Sequence, residues 1–194
     1  MSPRTASQFE AIRKASMGRI SNAALDLFAR KGYSATSIAQ IATAAGVSKG
    51  LLYNYFNGKE ALLRHIVLEA VAKGEKALYE ALALPGSPKA RLRQFTVATF
   101  GLIQSNRDYW RLLSALALQP HVLDGLMPEL QQKEGQAMEG FLALFRELGY
   151  EDPEGELLLY QAMMDGVALK YMQAPEAGWI REDLVCQQMR ADCL

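Results

Sequence analysis

The chain has 194 residues, half of them hydrophobic, with 21 basic and 21 acidic side chains and a formal net charge of zero. That supplies enough apolar material for a large core, and no stretch reaches the roughly 18 uninterrupted apolar residues that a membrane span needs. Two histidines, two cysteines, no metal-spaced His/Cys set, no phosphate-cradling glycine loop and no nucleophile elbow argue against an enzyme, a metal site or a bound cofactor.

Met1 to Ile20 carries charges throughout and no apolar run, so neither an export leader nor a membrane anchor is expected, and a cytoplasmic location follows. Ile20, Ala23, Ala24, Leu27 and Phe28 then recur at i, i+3, i+4, i+7 and i+8, the stripe of an amphipathic helix that Lys31-Gly32-Tyr33 ends. Ser37 and Gln40 are spaced as a capping box, and Ile38, Ile41, Ala42 and Ala45 keep a helical period, which predicts a short helix from Ser37 to Ala45. Gly46 closes it in the left-handed conformation that glycine adopts cheaply, and Ser48 can cap the next helix. At about 100° per residue, Leu52 and Phe56 point one way and Gly50 and Asn54 roughly the other, flanked by Leu51 and Tyr53. Two short helices joined by a glycine turn, one presenting small and polar residues, read as a DNA-binding helix-turn-helix.

Charge supports that division of the chain. Residues 1 to 60 hold eight cations against three carboxylates, a net of +5, which leaves thirteen against eighteen, or −5, for the remainder. A basic head on an acidic body suits one end that meets a polyanion. Arg4, in the segment Met1 to Ala6, is a further candidate for reaching the DNA backbone or minor groove, although a disordered start without contact is the plainer expectation.

Asn57-Gly58 breaks the pattern, and Lys59-Glu60-Ala61-Leu62-Leu63 opens a long helix whose stripe runs through Ile66, Val67, Ala70 and Val71. The arrangement closely resembles the amino-terminal domain of the TetR/AcrR family of bacterial transcriptional regulators. The residues that carry the resemblance are Ala23-Ala24, Leu27-Phe28, Gly32-Tyr33, Thr36-Ser37, Ile41-Ala42, Ala45 through Gly50, Leu52-Tyr53, Tyr55-Phe56, Lys59-Glu60 and Leu62. The resemblance implies an all-α fold, with a three-helix DNA-binding domain at 1–58 and a larger helical effector-binding and dimerisation domain at 59–194.

It also implies roles. Residues matching Ser37, Tyr53, Tyr55 and Lys59 hold phosphates in the family, and those matching Lys49, Gly50, Leu51 and Asn54 approach base edges; the Ser48 hydroxyl lies beside them. The chemistry is compatible, since Lys49 can donate to guanine, Asn54 can pair with adenine and Leu51 can touch a thymine methyl. Two positions depart from the pattern. Ala39 stands where some relatives place a long polar residue, so the first short helix is expected to read no base. Gly58 replaces a small polar residue, a cap only a few tenths of a kcal/mol poorer than serine or asparagine.

Beyond this head, helices are predicted from Lys59 to about Leu84, broken at Pro85-Gly86-Ser87-Pro88, then over Lys89 to Ser105, Asp108 to Leu118, Met127 to Leu148, Pro153 to Met172 and Arg181 to about Cys193. Cys186 and Cys193 would be separated by about 10 Å of rise on one helix, too far for a mutual disulfide. Reduced thiols are expected, with an intersubunit disulfide as the rarer alternative.

The family resemblance implies that this second part binds a small-molecule effector and dimerises. Large residues that its helices could turn inward are Phe95, Phe100, Tyr109, Trp110, Met138, Phe141, Phe145, Tyr160 and Met164, suited to an apolar or aromatic ligand if they line a cavity and to ordinary core if they do not. Leu158, Ala162, Asp165 or Gly166, and Leu169 trace one stripe on the Pro153 to Met172 helix that could form a dimer interface or face the protein's own core. The expectation is a homodimeric regulator, a repressor at a palindromic operator, released when an effector favours a conformation in which the fourth helix shifts. A helical protein-interaction module without DNA binding, and a DNA-binding regulator without an effector, are the alternatives.

Overall fold

The computed structural model describes residues 6–174. Over that span the regular elements are α1 (Ala6–Lys31), α2 (Ile38–Ala45), α3 (Lys49–Tyr55), α4 (Lys59–Leu82), α5 (Pro88–Ser105), α6 (Arg107–Ala117), α7 (Met127–Leu148) and α8 (Pro153–Gln173), with one 3-10 turn at Asp124–Leu126. The chain therefore adopts the expected all-α class. Arg4, the helix expected over Arg181 to Cys193, and both cysteines lie outside the described residues.

Short-range chemistry sets most of the helix ends. Ser37 caps α2 with a complete capping box: its hydroxyl accepts from the Gln40 N–H, and the Gln40 side chain accepts from the Ser37 N–H at 2.8 Å. At the other end Gly46 is left-handed at φ 65°, and the Gly46 and Val47 N–H groups return to the Thr43 and Ala42 carbonyls, which satisfies two otherwise unpaired acceptors. The fifth helix starts at Pro88 rather than Lys89, because Ser87 is the cap and proline at the first position needs no donor. Asp152 caps α8 by accepting from the Gly155 N–H at 3.0 Å, and a Cβ at Gly155 would collide with that carboxylate.

The chain divides into two compact units. One comprises the chain up to Ala70 together with Leu112–Asp124; the other comprises Val71–Arg111 and the chain from Gly125 onward. In the first, Ile20, Ala24 and Phe28 from α1, Ile41 from α2, and Leu52 from α3 are fully buried. Each of the larger side chains, Ile20, Phe28, Ile41 and Leu52, contributes roughly 1.5–3 kcal/mol of transfer free energy, so the apolar stripes, more than helix propensity, hold the short helices in place.

In the second unit Leu78, Leu92, Phe100, Ile103, Phe141, Leu144, Phe145, Leu157, Tyr160, Met164 and Met172 form one buried cluster. Inside it Thr96 donates to the Leu92 carbonyl at 2.9 Å, so in the 2.9 Å contact between the two hydroxyls Tyr160 must be the donor. Ion pairs tie its helices together: Lys133 of α7 to Glu75 of α4 at 3.0 Å, and Arg91 of α5 to Glu147 of α7.

Candidate nucleic-acid interface

The sequence of α2 and α3 produces two opposite faces. Ile41, Ala42, Leu52 and Phe56 are buried, while Ser37, Ser48, Lys49, Gly50, Tyr53 and Asn54 are exposed and Leu51, Tyr55 and Lys59 are half-buried. Ser48 spends no acceptor on a remote partner: its hydroxyl accepts from the Leu51 N–H at 3.0 Å and starts α3 locally. The Lys49 ammonium lies 5.8 Å from the centre of the Tyr53 ring, one turn on, so cation and phenol stand side by side on the exposed surface.

Gly50 has no internal explanation. It sits in a helix, where glycine costs about 0.5–1 kcal/mol relative to alanine, and its backbone is not in the left-handed region. A Cβ added there would meet only the Ser48 hydroxyl, at 4.0 Å. Among the described residues nothing requires the bare backbone at this position.

Lys59, the remaining residue expected at phosphates, is engaged within the protein. Its ammonium donates to the carbonyls of Tyr33 at 2.8 Å, Thr36 at 3.0 Å and Ser34 at 3.3 Å, and lies 4.4 Å from the centre of the Tyr33 ring. Its three donors thus meet the turn that leads into α2, and Lys59 staples that turn. Gly58 also differs from expectation. Its carbonyl accepts from the Leu62 N–H at 3.2 Å, as a cap should, but its φ is 100°, a conformation in which the small polar residues of relatives would be strained.

Three residues outside the expected set complete the turn. Thr36, buried, donates to the Gly32 carbonyl at 2.8 Å, with the Leu27 carbonyl 3.3 Å from the same hydroxyl. Tyr33 packs edge-on against Phe28, with ring centres 5.0 Å apart; burial, and then the nearby Glu60 carboxylate, push its phenol pKa up. Gln119 donates to the Phe28 carbonyl at 2.8 Å and accepts from the Tyr33 N–H at 3.1 Å. Thr36 and Tyr33 sit within the matched motif and could have been singled out by their position before the cap. No local pattern marks Gln119.

Of the nine residues expected at an effector site, eight come together in the cluster of the second unit: Phe100, Phe141, Phe145, Tyr160 and Met164 buried, with Phe95, Trp110 and Met138 packed against them. Tyr109 stands outside it, edge-on to Trp110 at 5.4 Å and with the Lys73 ammonium 4.6 Å from its ring centre. On α8, Leu158 is 66% and Leu169 45% exposed, and Ala162, Asp165 and Gly166 are exposed with them.

Two short capped helices, one buried face and one presented face define a helix-turn-helix protein. Residues 20–66 match the tetR family of bacterial regulatory proteins. The matched segment is the helix-turn-helix with the flanking parts of α1 and α4, about a quarter of the chain. The HTH-type transcriptional regulator YerO of Bacillus subtilis is 51% identical over 45 residues, 23% of this chain and 16% of that protein. The fatty acid metabolism regulator protein of the same organism is 27% identical over 124 residues, 64% of this chain and 61% of its own length. This chain therefore spans less than two thirds of either relative. Among solved structures, the SmeT–triclosan complex has a similar fold, with a TM-score of 0.71 at 22% identity over 90% of this chain and 89% of that one.

Proposed function

We propose that this protein regulates transcription as a homodimer that binds a two-fold symmetric DNA operator through α3 and answers to a small apolar or aromatic molecule. The observation that carries DNA binding is the exposed face of Lys49, Gly50, Tyr53 and Asn54, at whose centre lies a glycine that the protein's own packing does not need. Lys49 and Asn54 supply donors for base edges, Leu51 an apolar contact, and Ser37, Ser48, Tyr53 and Tyr55 hydroxyls for phosphates. One seven-residue helix buries too little for tight binding, so paired heads at half-sites roughly 34–36 Å apart are required.

The apolar stripe of Leu158, Ala162, Gly166 and Leu169 supports dimerisation, since exposed leucines flanked by small residues allow two helices to approach closely. The aromatic and methionine cluster, with the Thr96–Tyr160 hydroxyl pair inside it, supports an effector of apolar or aromatic character, and a structural neighbour was solved with triclosan. Such an effector changes DNA affinity only by binding one conformation more tightly than the other, and release of DNA on binding makes the protein a repressor.

The test is fluorescence anisotropy of labelled DNA from upstream of its own gene, set against a shuffled duplex, across a salt series. The proposal expects affinity that falls steeply as salt rises, with a preference for one sequence. Absence of binding at low salt would favour a helical interaction module instead.

A further inference from the structure

Gln119 follows α6 in the segment Leu112–Asp124, which packs in the same compact unit as the helix-turn-helix although Gln119 itself lies more than fifty residues beyond the matched segment 20–66. Its side-chain amide is used at both ends: Nε2 donates to the Phe28 carbonyl at 2.8 Å and Oε1 accepts from the Tyr33 N–H at 3.1 Å. The amide orientation follows from chemistry, because only a donor can face a carbonyl and only an acceptor can face an N–H.

The two partners bracket the end of α1 and the start of the turn into α2. The Phe28 carbonyl has a second donor, the Gly32 N–H at 3.0 Å, and so stays satisfied without Gln119. The Tyr33 N–H is held by Gln119 while the Tyr33 carbonyl is held by Lys59, which fixes the two peptide units on either side of the Tyr33 Cα by residues foreign to the turn. Four residues later Ser37 caps α2, so the set of the turn determines where the cap and the exposed face behind it stand.

The geometry points to Gln119 as a positioning residue for DNA reading: without touching DNA, it completes the helix-turn-helix by locking the Gly32–Tyr33 peptide. This inference rests on the reading of α2 and α3 as the DNA-binding surface. Only a side-chain amide of this length meets both requirements. Asparagine is a methylene short, glutamate keeps the acceptor and loses the donor, and methionine keeps the length and loses both.

The experiment compares full-length wild type, Gln119→Met and Gln119→Glu by anisotropy on the labelled upstream duplex across a salt series, and by hydrogen–deuterium exchange of the Tyr33 amide without DNA. Gln119→Met should exchange Tyr33 faster and bind about tenfold more weakly, the scale of one lost hydrogen bond, with an unchanged salt slope because no phosphate contact is removed. Gln119→Glu should keep Tyr33 exchange slow and bind between the other two, which separates the Tyr33 contact from general damage to the fold. Wild-type affinity in Gln119→Met, or a flattened salt slope, would overturn the positioning role while leaving the DNA-binding reading intact. A wild-type protein that binds no duplex at low salt would overturn both, and is distinguished by failing before any substitution is made.

Discussion

Lys59 and Tyr33 meet twice: the Lys59 ammonium donates to the Tyr33 carbonyl at 2.8 Å and lies 4.4 Å from the centre of its ring. With the Ser34 and Thr36 carbonyls also accepting, the first residue of α4 closes the turn that leads into α2. Lys59→Ala should lower the melting temperature and weaken binding to every duplex alike while leaving the salt slope unchanged. A slope flattened by about one would return Lys59 to direct phosphate contact.

Gly50→Ala separates stability from recognition. A Cβ there meets nothing closer than 4.0 Å, so the substitution should raise stability by up to about 1 kcal/mol through helix propensity. If the bare backbone exists to let DNA approach, the same change should weaken DNA binding at least tenfold. Thermal melting and anisotropy on one preparation decide it; unchanged affinity would leave the glycine unexplained.

Asn54, exposed in the last turn of α3, carries base discrimination in this account. Asn54→Ala should relax preference at one base pair, by about 1–3 kcal/mol, and leave the other positions alone. A panel of single-pair variants of the bound duplex measures this, and a uniform loss across the panel would assign Asn54 to the backbone.

The raised phenol pKa of Tyr33 has a defined sign. A folded pKa above the unfolded one means that the unfolded chain ionises first, so the contribution is fully present below the ordinary tyrosine value of 10.0 and is lost as pH rises through the folded pKa. The difference in melting temperature between wild type and Tyr33→Phe should therefore be flat at neutral pH and move against wild type above about pH 10. A constant offset would show that the phenol titrates alike in both states.

Leu158, 66% exposed, is one of the four α8 residues proposed to form the dimer face. Leu158→Glu should shift the protein towards monomer in sedimentation and weaken operator binding without lowering the protomer's melting temperature. An unchanged mass would place the interface elsewhere.

Much of the first unit was legible in sequence because its signals are local. The Ser37–Gln40 capping box, the Gly46 stop and the Ser48 cap each involve residues within five positions of one another, so their spacing alone specifies the geometry. The Met127–Leu148 helix was equally plain, bounded by Pro128 near its start and left-handed Gly149 at its end. What sequence could not show is nonlocal. Gln119 reaches Tyr33 across 86 positions, and the three carbonyl partners of Lys59 lie 23 to 26 residues away. Spacing located the cap at Gly58, but its φ of 100° is not written in the spacing. In the second unit, aromatic residues select themselves for burial, yet the same pattern serves a core or a ligand site, and Tyr109 has the composition of its neighbours without joining their cluster.

The most direct test of the central claim is selection of bound duplexes from a random-sequence pool by the full chain, followed by sequencing. The account predicts an enriched consensus with two-fold symmetry, its half-sites spaced by about one helical turn or a multiple of it. A bound pool with no enriched sequence, or an asymmetric one, would contradict a homodimer reading an operator through α3.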